Sequence, residues 1–293
     1  MAFNWQTFRT RALTAIVFVA VMLAGIFWNH WSFFILYSIV HFGAWVEYQQ
    51  LVSRFNPDYA KTTALHRYAV MAGGWCLMLF FTNNELRIGS VSLSAAGLWL
   101  GLLFMILLPV IMFIESKLVF FKNIGYSLFG LLYISLPLGL LVSLRNYWSD
   151  GLYDSSLAVP LLVIFSLWIN DTMAYLVGSI IGRTPLSPIS PKKTWEGTIG
   201  GIVLTIVAFC LVPYFRNQLS LVHVAVITGL SAISGTFGDL FESKLKRMAG
   251  VKDSGSIMPG HGGFLDRFDS LLFAVVVVWL YAMIFLQSSL IVS

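Results

Sequence analysis

The sequence predicts an all-α, polytopic integral membrane protein of about nine transmembrane helices, with its N-terminus in the cytoplasm. Three observations carry that expectation. Of the 293 residues, 58% are apolar and only 11% are charged. Mean hydropathy is +0.83, above the range of soluble domains. Apolar runs of spanning length recur from about residue 12 to the C-terminus and leave no soluble domain between them. The chain therefore reads as one integral domain over 1–293, with an N-terminal multi-span region (1–150) and a C-terminal half (151–293) that carries the chemistry.

Each span is placed by a mainly apolar run of about 20 residues. The runs are 12–28, 31–50, 66–82, 93–114, 124–144, 157–181, 197–215, 221–241 and 269–291. The first follows Arg9 and Arg11, as in a signal peptide, but no small-residue cleavage site follows it and a second run starts almost at once. It reads as a retained first helix, joined tightly to the second around Asn29. The sixth and eighth runs are the least apolar. The sixth holds Asn170, Asp171 and Thr172. The eighth holds Ser231, Ser234, Gly235, Thr236, Gly238 and Asp239, small residues that allow close helix packing.

Charge placement sets the orientation. With these spans, Arg87, Arg145 and Arg216 fall on one face, and the remaining fifteen of the 18 Lys and Arg fall on the other with the N-terminus. That face is cytoplasmic, and the expected location is the cytoplasmic (inner) membrane, with the polar loops facing the cytoplasm. The net charge of +5 then marks topology and calls for no nucleic-acid partner. Cys76 and Cys210 lie in apolar runs without metal-ligand spacing and read as core filler. His41 and His223 read as satisfied core or interfacial histidines, and Glu47 as an interfacial acid.

Two cytoplasmic loops hold most of the polar chemistry. Residues 239–269 contain Asp239, Glu242, Asp253, Asp266 and Asp269 among five basic residues, and also His261 with Gly262 and Gly263. Ionisable groups beside a membrane are costly, so such a concentration marks a functional site. Asp239 and Asp266 stand at the ends of two successive spans, where two carboxylates suit one Mg²⁺ with positions left for water and phosphate oxygens. Asp269 is three residues beyond Asp266, on the same helix face. The alternative is a pair of acids neutralising Arg267 and Lys246 at a helix end. The Pro259–Gly263 turn is either a phosphate cradle ahead of a helix N-terminus or an ordinary loop. Lys246, Arg247 and Lys252 suit a nucleotide or lipid phosphate, or the anionic leaflet itself.

The second loop, GRTPLSPISPKKTWEG, is kept extended by Pro185, Pro188 and Pro191. Its Ser190, Lys192, Lys193 and Thr194 lead into the next helix and read either as a phosphate grip or as a topology signal. Asp171, inside the sixth span, needs a partner or a cation; the structural alternative is a hydrogen bond to a neighbouring helix.

From Ser243 to Asp269 the chain resembles the phosphatidate cytidylyltransferase (CDP-diacylglycerol synthase) family. The resemblance is carried by Ser243, Lys246, Arg247, Lys252, Asp253, Gly255, Pro259, His261, Gly262, Gly263, Asp266, Arg267 and Asp269. Met258 stands where the pattern has Ile, Leu or Phe. The segments 171–182 and 190–197 are similar to that family too, so the resemblance covers roughly the C-terminal half. It implies conversion of CTP and phosphatidate to CDP-diacylglycerol and pyrophosphate. It implies Mg²⁺ at Asp239 and Asp266, a second cation such as K⁺, and a homodimer. It assigns catalytic roles to Asp239, Asp266, Lys246, Arg247, His261 and Asp269. Substrate contacts fall to Asp171, Ser190, Lys192, Lys193, Thr194, Lys252, Asp253, Gly262, Gly263 and Arg267.

The chemistry expected is direct, in-line attack of the lipid phosphate on the α-phosphorus of CTP, because that phosphate is already a nucleophile at neutral pH. Two enzymes compete with this reading: a CTP-dependent lipid kinase, and a cytidylyltransferase acting on another lipid phosphate. An ion-coupled transporter using Asp171 and Asp239 is a third reading, disfavoured by the lopsided, loop-centred charge.

Overall fold

The computed structural model describes residues 5–83, 85–115, 120–146, 157–256 and 262–286. Helices dominate. Among the described residues, five are long and apolar enough to cross a membrane: Leu93–Ile111, Asn123–Arg145, Ala158–Ile181, Leu221–Met248 and Leu265–Leu286. Leu13–Phe27 and Trp195–Leu211 are shorter apolar helices. Two small antiparallel ribbons are additions to the expected all-α fold: Arg87–Ile88 (β1) with Val91–Ser92 (β2), and Pro185–Ser187 (β3) with Ser190–Thr194 (β4). The chain divides into two compact units, Met1–Val142 with Leu245–Phe268, and Ser143–Lys244 with Asp269–Ser293.

In the first unit, α1 (Trp5–Phe27) turns sharply into α2 (His30–Phe55). The turn is set by a capping box. Asn29 Oδ1 accepts from Ser32 N at 2.8 Å, and Ser32 Oγ accepts from Asn29 N at 3.0 Å. The core along α2 is aromatic: Phe33, Tyr37, Trp45 and Tyr48 are buried, with Tyr59 from the short α3 (Pro57–Ala60). Several of its buried polar groups are paired, as an apolar surrounding favours, while the Tyr37 hydroxyl has no hydrogen-bond partner among the described residues. A π-helical turn, Leu131–Ser135, joins α6 (Phe120–Gly130) to α7 (Leu136–Asn146). It brings Ser135 Oγ to 2.9 Å from both Trp45 Nε1 and His41 Nε2. His66, on α4 (Ala64–Phe80), meets Ser127 Oγ at 2.9 Å. α4 packs tightly on α5 (Leu93–Glu115), where a Cβ on Gly97 would stand 2.7 Å from the Cys76 carbonyl.

In the second unit, α8 (Ala158–Ile181) and α9 (Trp195–Leu211) approach through small residues. A Cβ on Gly201 would stand 2.8 Å from Ala174 Cβ and 2.9 Å from the Ala174 amide nitrogen. One on Gly197 would stand 2.7 Å from the Ala174 carbonyl. In lipid, such close backbone contact is what holds helices together. Gly201→Val is expected to lower stability by at least about 1–3 kcal/mol. A thermal melt of the purified protein in detergent checks this, and an unchanged midpoint would contradict it. The run 197–215 does not continue as one helix. α9 stops at Leu211, and Pro213 begins the short α10 (Pro213–Gln218), because proline suits a first helical position and not an interior one. α11 (Leu221–Met248) and α12 (Leu265–Tyr281) complete the set. His223 Nδ1 lies 2.7 Å from Tyr281 Oη.

Candidate active site

The predicted site residues collect in two places, one in each unit. In the first unit α11 ends in a Schellman turn. Val251 N donates to Lys246 O at 2.9 Å, Gly250 N donates to Arg247 O at 3.1 Å, and Gly250 has φ +68°, a conformation that glycine adopts without strain. The loop that follows is closed by Asp266, in the first turn of α12. Its Oδ1 accepts from Lys246 Nζ at 2.6 Å. Its Oδ2 accepts from Gly263 N at 2.8 Å, Ser254 N at 2.8 Å and Ser254 Oγ at 2.9 Å. Gly262, at φ +83°, sits under this carboxylate, and a Cβ there would come 3.0 Å from Asp266 Cγ.

The salt-bridge reading of Asp266 is thus realised with Lys246. Only 12% of the Lys246 side chain and 11% of the Asp266 side chain are exposed, so the pair is buried enough to matter to the loop. Arg247 Nη1 donates to Val251 O at 3.2 Å. Lys252, Asp253 and Arg267 are exposed. His261 lies outside the described residues, with Pro259 and Gly260.

Sequence reasoning missed one participant. Glu47, read as an interfacial acid, is buried with 2% of its surface exposed. It accepts from Phe264 N at 2.8 Å, Leu265 N at 2.9 Å and Ser254 Oγ at 2.7 Å. The sequence held one relevant signal: an ionisable residue within the second apolar run, which demands partners wherever it is buried.

In the second unit, Lys193 Nζ lies 2.5 Å from Asp239 Oδ2. Asp269, buried at 7% exposure, feels the charges of both Asp239 and Asp171, and Asp171 feels Lys193 and Asp239. Lys193 therefore pairs with Asp239 and feels Asp171, while Asp269 lies beside Asp239. Lys192 is exposed on β4. Thr194 Oγ1 accepts from Gly197 N at 3.1 Å, so its hydroxyl caps α9. Ser190 pairs with Ser187 across the ribbon. Glu196 latches the ribbon's entry by accepting from Arg183 N at 3.1 Å and from Thr184 N at 3.1 and 3.2 Å. Hydrogen bonds from its own amide and from those of Arg183 and Thr184 hold its carboxyl at about 2.

The donor set suits a hard cation in part. Among the described residues, no three His, Cys, Asp or Glu side chains converge to ligate one ion. Mg²⁺ needs no such cage; one or two carboxylates with water and phosphate oxygens suffice. A carboxylate has about four lone-pair positions, so Asp266 Oδ1 keeps capacity beside its lysine.

A many-helix apolar chain with Lys–Asp pairs at its helix ends and loops defines a class: helical membrane proteins that keep ionic pairs beside their spans. The model of the Cytidylyltransferase family matches residues 9–285, and the chain belongs to that family. It is 30% identical over 300 residues to Phosphatidate cytidylyltransferase of Synechocystis sp., covering 94% of this chain and 97% of that one. It is 39% identical over 167 residues to Phosphatidate cytidylyltransferase of Thermotoga maritima, covering 55% and 59%. Over 131 residues it is 49% identical to Phosphatidate cytidylyltransferase 4, chloroplastic, of Arabidopsis thaliana, covering 44% and 32%. The chain spans about a third of the length of the Arabidopsis protein and under two thirds of the Thermotoga one.

Proposed function

We propose that this chain transfers the cytidylyl group of CTP to phosphatidate, forming CDP-diacylglycerol and pyrophosphate for phospholipid synthesis. The observation that carries the reading is the 246–266 loop. There a lysine, a carboxylate and two glycines are locked into one hydrogen-bonded turn within a family match that covers 9–285. Relatives named for this activity support it.

Both substrates are polyanions, so repulsion opposes their approach. Lys246, Arg247, Lys252, Arg267, Lys192 and Lys193 offset that repulsion. Gly262 and Gly263 leave room for a phosphate, His261 is assigned to contact it, and Asp171, Asp253, Ser190 and Thr194 contribute polar contacts. A phosphatidate oxygen forms a bond to the α-phosphorus while the bond from that phosphorus to the β-phosphate bridge breaks, and pyrophosphate leaves. No protein nucleophile is needed. Orientation and charge neutralisation carry the rate. Asp239 and Asp266 would hold Mg²⁺, Asp269 would be a further catalytic carboxylate, and a second cation such as K⁺ would accompany the Mg²⁺; when bound, the metal would supply Lewis-acid stabilisation of the phosphoryl oxygens.

The same reading includes a single integral domain of about nine spans. Its N-terminus and active face are cytoplasmic, it resides in the inner membrane, and it works as a homodimer. CTP then arrives from water and phosphatidate from the leaflet. Purified protein incubated with phosphatidate, Mg²⁺ and radiolabelled CTP is expected to release pyrophosphate and label the lipid. Release of CDP with a γ-phosphorylated lipid would replace this reading with a CTP-dependent kinase.

A further inference from the structure

We propose that Glu47 is a positioning residue for the reaction: from α2 it holds the start of α12 and, through Ser254, sets the carboxylate of Asp266. The inference rests on the cytidylyltransferase reading of the loop, and the geometry behind it stands by itself.

The amides of Phe264 and Leu265 lie at the start of α12, where no preceding turn can accept their hydrogens. Helices commonly cap such groups with a side chain of their own. Here the cap comes from another helix, 217 and 218 residues away in sequence. An ionised acceptor at a helix N-terminus is favoured by charge as well as by hydrogen bonding.

Ser254 extends the connection. Its hydroxyl oxygen lies 2.7 Å from Glu47 Oε2 and 2.9 Å from Asp266 Oδ2, so its one proton is offered to either carboxylate in turn. The same oxygen is 3.3 Å from Asp266 N, as an acceptor. The position of Glu47 thus reaches Asp266 through one hydroxyl.

The surroundings are built for this acid. Gly255 and Gly263 both lie against its carboxylate; a Cβ on Gly255 would stand 2.7 Å from Glu47 Cδ, and one on Gly263 would overlap both oxygens. One helical turn before Glu47, a Cβ on Gly43 would stand 2.6 Å from Cγ of the Phe264 ring. Gly43 and Glu47 therefore make one face of α2 that seats the Phe264 ring and caps its amide. A glutamate with only a packing role would not need three donors from a loop that ends in Asp266.

The test uses the full-length protein in detergent, with hydrogen exchange read by mass spectrometry over residues 262–268 and kinetics read with CTP and phosphatidate. Glu47→Ala is expected to raise exchange at Phe264 and Leu265. It should lower kcat by about a hundredfold with little change in either KM, because a displaced group costs rate more than binding. Glu47→Gln keeps one carbonyl acceptor and should lose about tenfold. Should Glu47→Ala fail to accumulate, Ser254→Ala decides. It removes the bridging hydroxyl and leaves both amide caps, and should lower kcat about tenfold without raising exchange at those two amides.

Unchanged exchange in Glu47→Ala overturns the proposal. So does raised exchange with a wild-type kcat, which would reduce Glu47 to a cap without influence on the chemistry. A wild-type kcat in Ser254→Ala also overturns it. If wild-type protein makes no CDP-diacylglycerol, the activity reading fails, and the exchange arm alone decides whether Glu47 holds the loop.

Discussion

Asp266→Ala is expected to abolish CDP-diacylglycerol formation, and Asp266→Asn to leave at most about a thousandth of it. The two substitutions remove different things. Alanine strips acceptors from Gly263 N, Ser254 N and Ser254 Oγ, and removes the ion pair that Asp266 makes with the mostly buried Lys246. Breaking one side of a buried pair costs about 3–5 kcal/mol, so this variant should also melt earlier. Asparagine keeps the shape and part of the acceptor capacity but loses the charge. It should melt closer to wild type and still be inactive. Turnover, thermal midpoint and membrane accumulation, measured together for both variants, separate the roles. Near-normal turnover in Asp266→Asn would leave this residue as a loop staple and remove it from catalysis.

Asp239→Ala should be equally inactive with almost no change in stability. Its pair with Lys193 has side chains 27% and 32% exposed, and a solvent-accessible pair contributes about 0–1 kcal/mol. Stability is therefore expected to hold while activity disappears, a contrast that Asp266→Ala cannot give. Full activity in Asp239→Ala would dismiss it as a cation or substrate ligand.

The helical membrane architecture was legible because lipid imposes length and apolarity on each segment. The runs 93–114 and 157–181 match α5 and α8 to within a residue at each end. Asn29 was legible as a break, and it is the N-cap of α2. The 239–269 stretch drew notice because its charges stand out in a chain that has few. What the chain order could not convey is who pairs with whom. Asp239 meets Lys193 from another loop, and Lys246 takes Asp266. Glu47 was misjudged because its partners lie 207 to 218 residues away, and nothing local marks it as buried. The early stop of α9 at Leu211 was overlooked because the apolar signal continues through Val212, while Pro213 starts a new helix.

The β3–β4 ribbon carries a consequence for how neighbouring molecules meet. Pro185 and Pro191 on the strands and Pro188 in the turn have no amide hydrogen, so these three positions can donate nothing to a strand from another copy. An open ribbon edge is ordinarily a template for stacking chain on chain. This one is disarmed by its own imino acids, so a short hairpin beside the membrane can stay solitary even where copies of the protein crowd together.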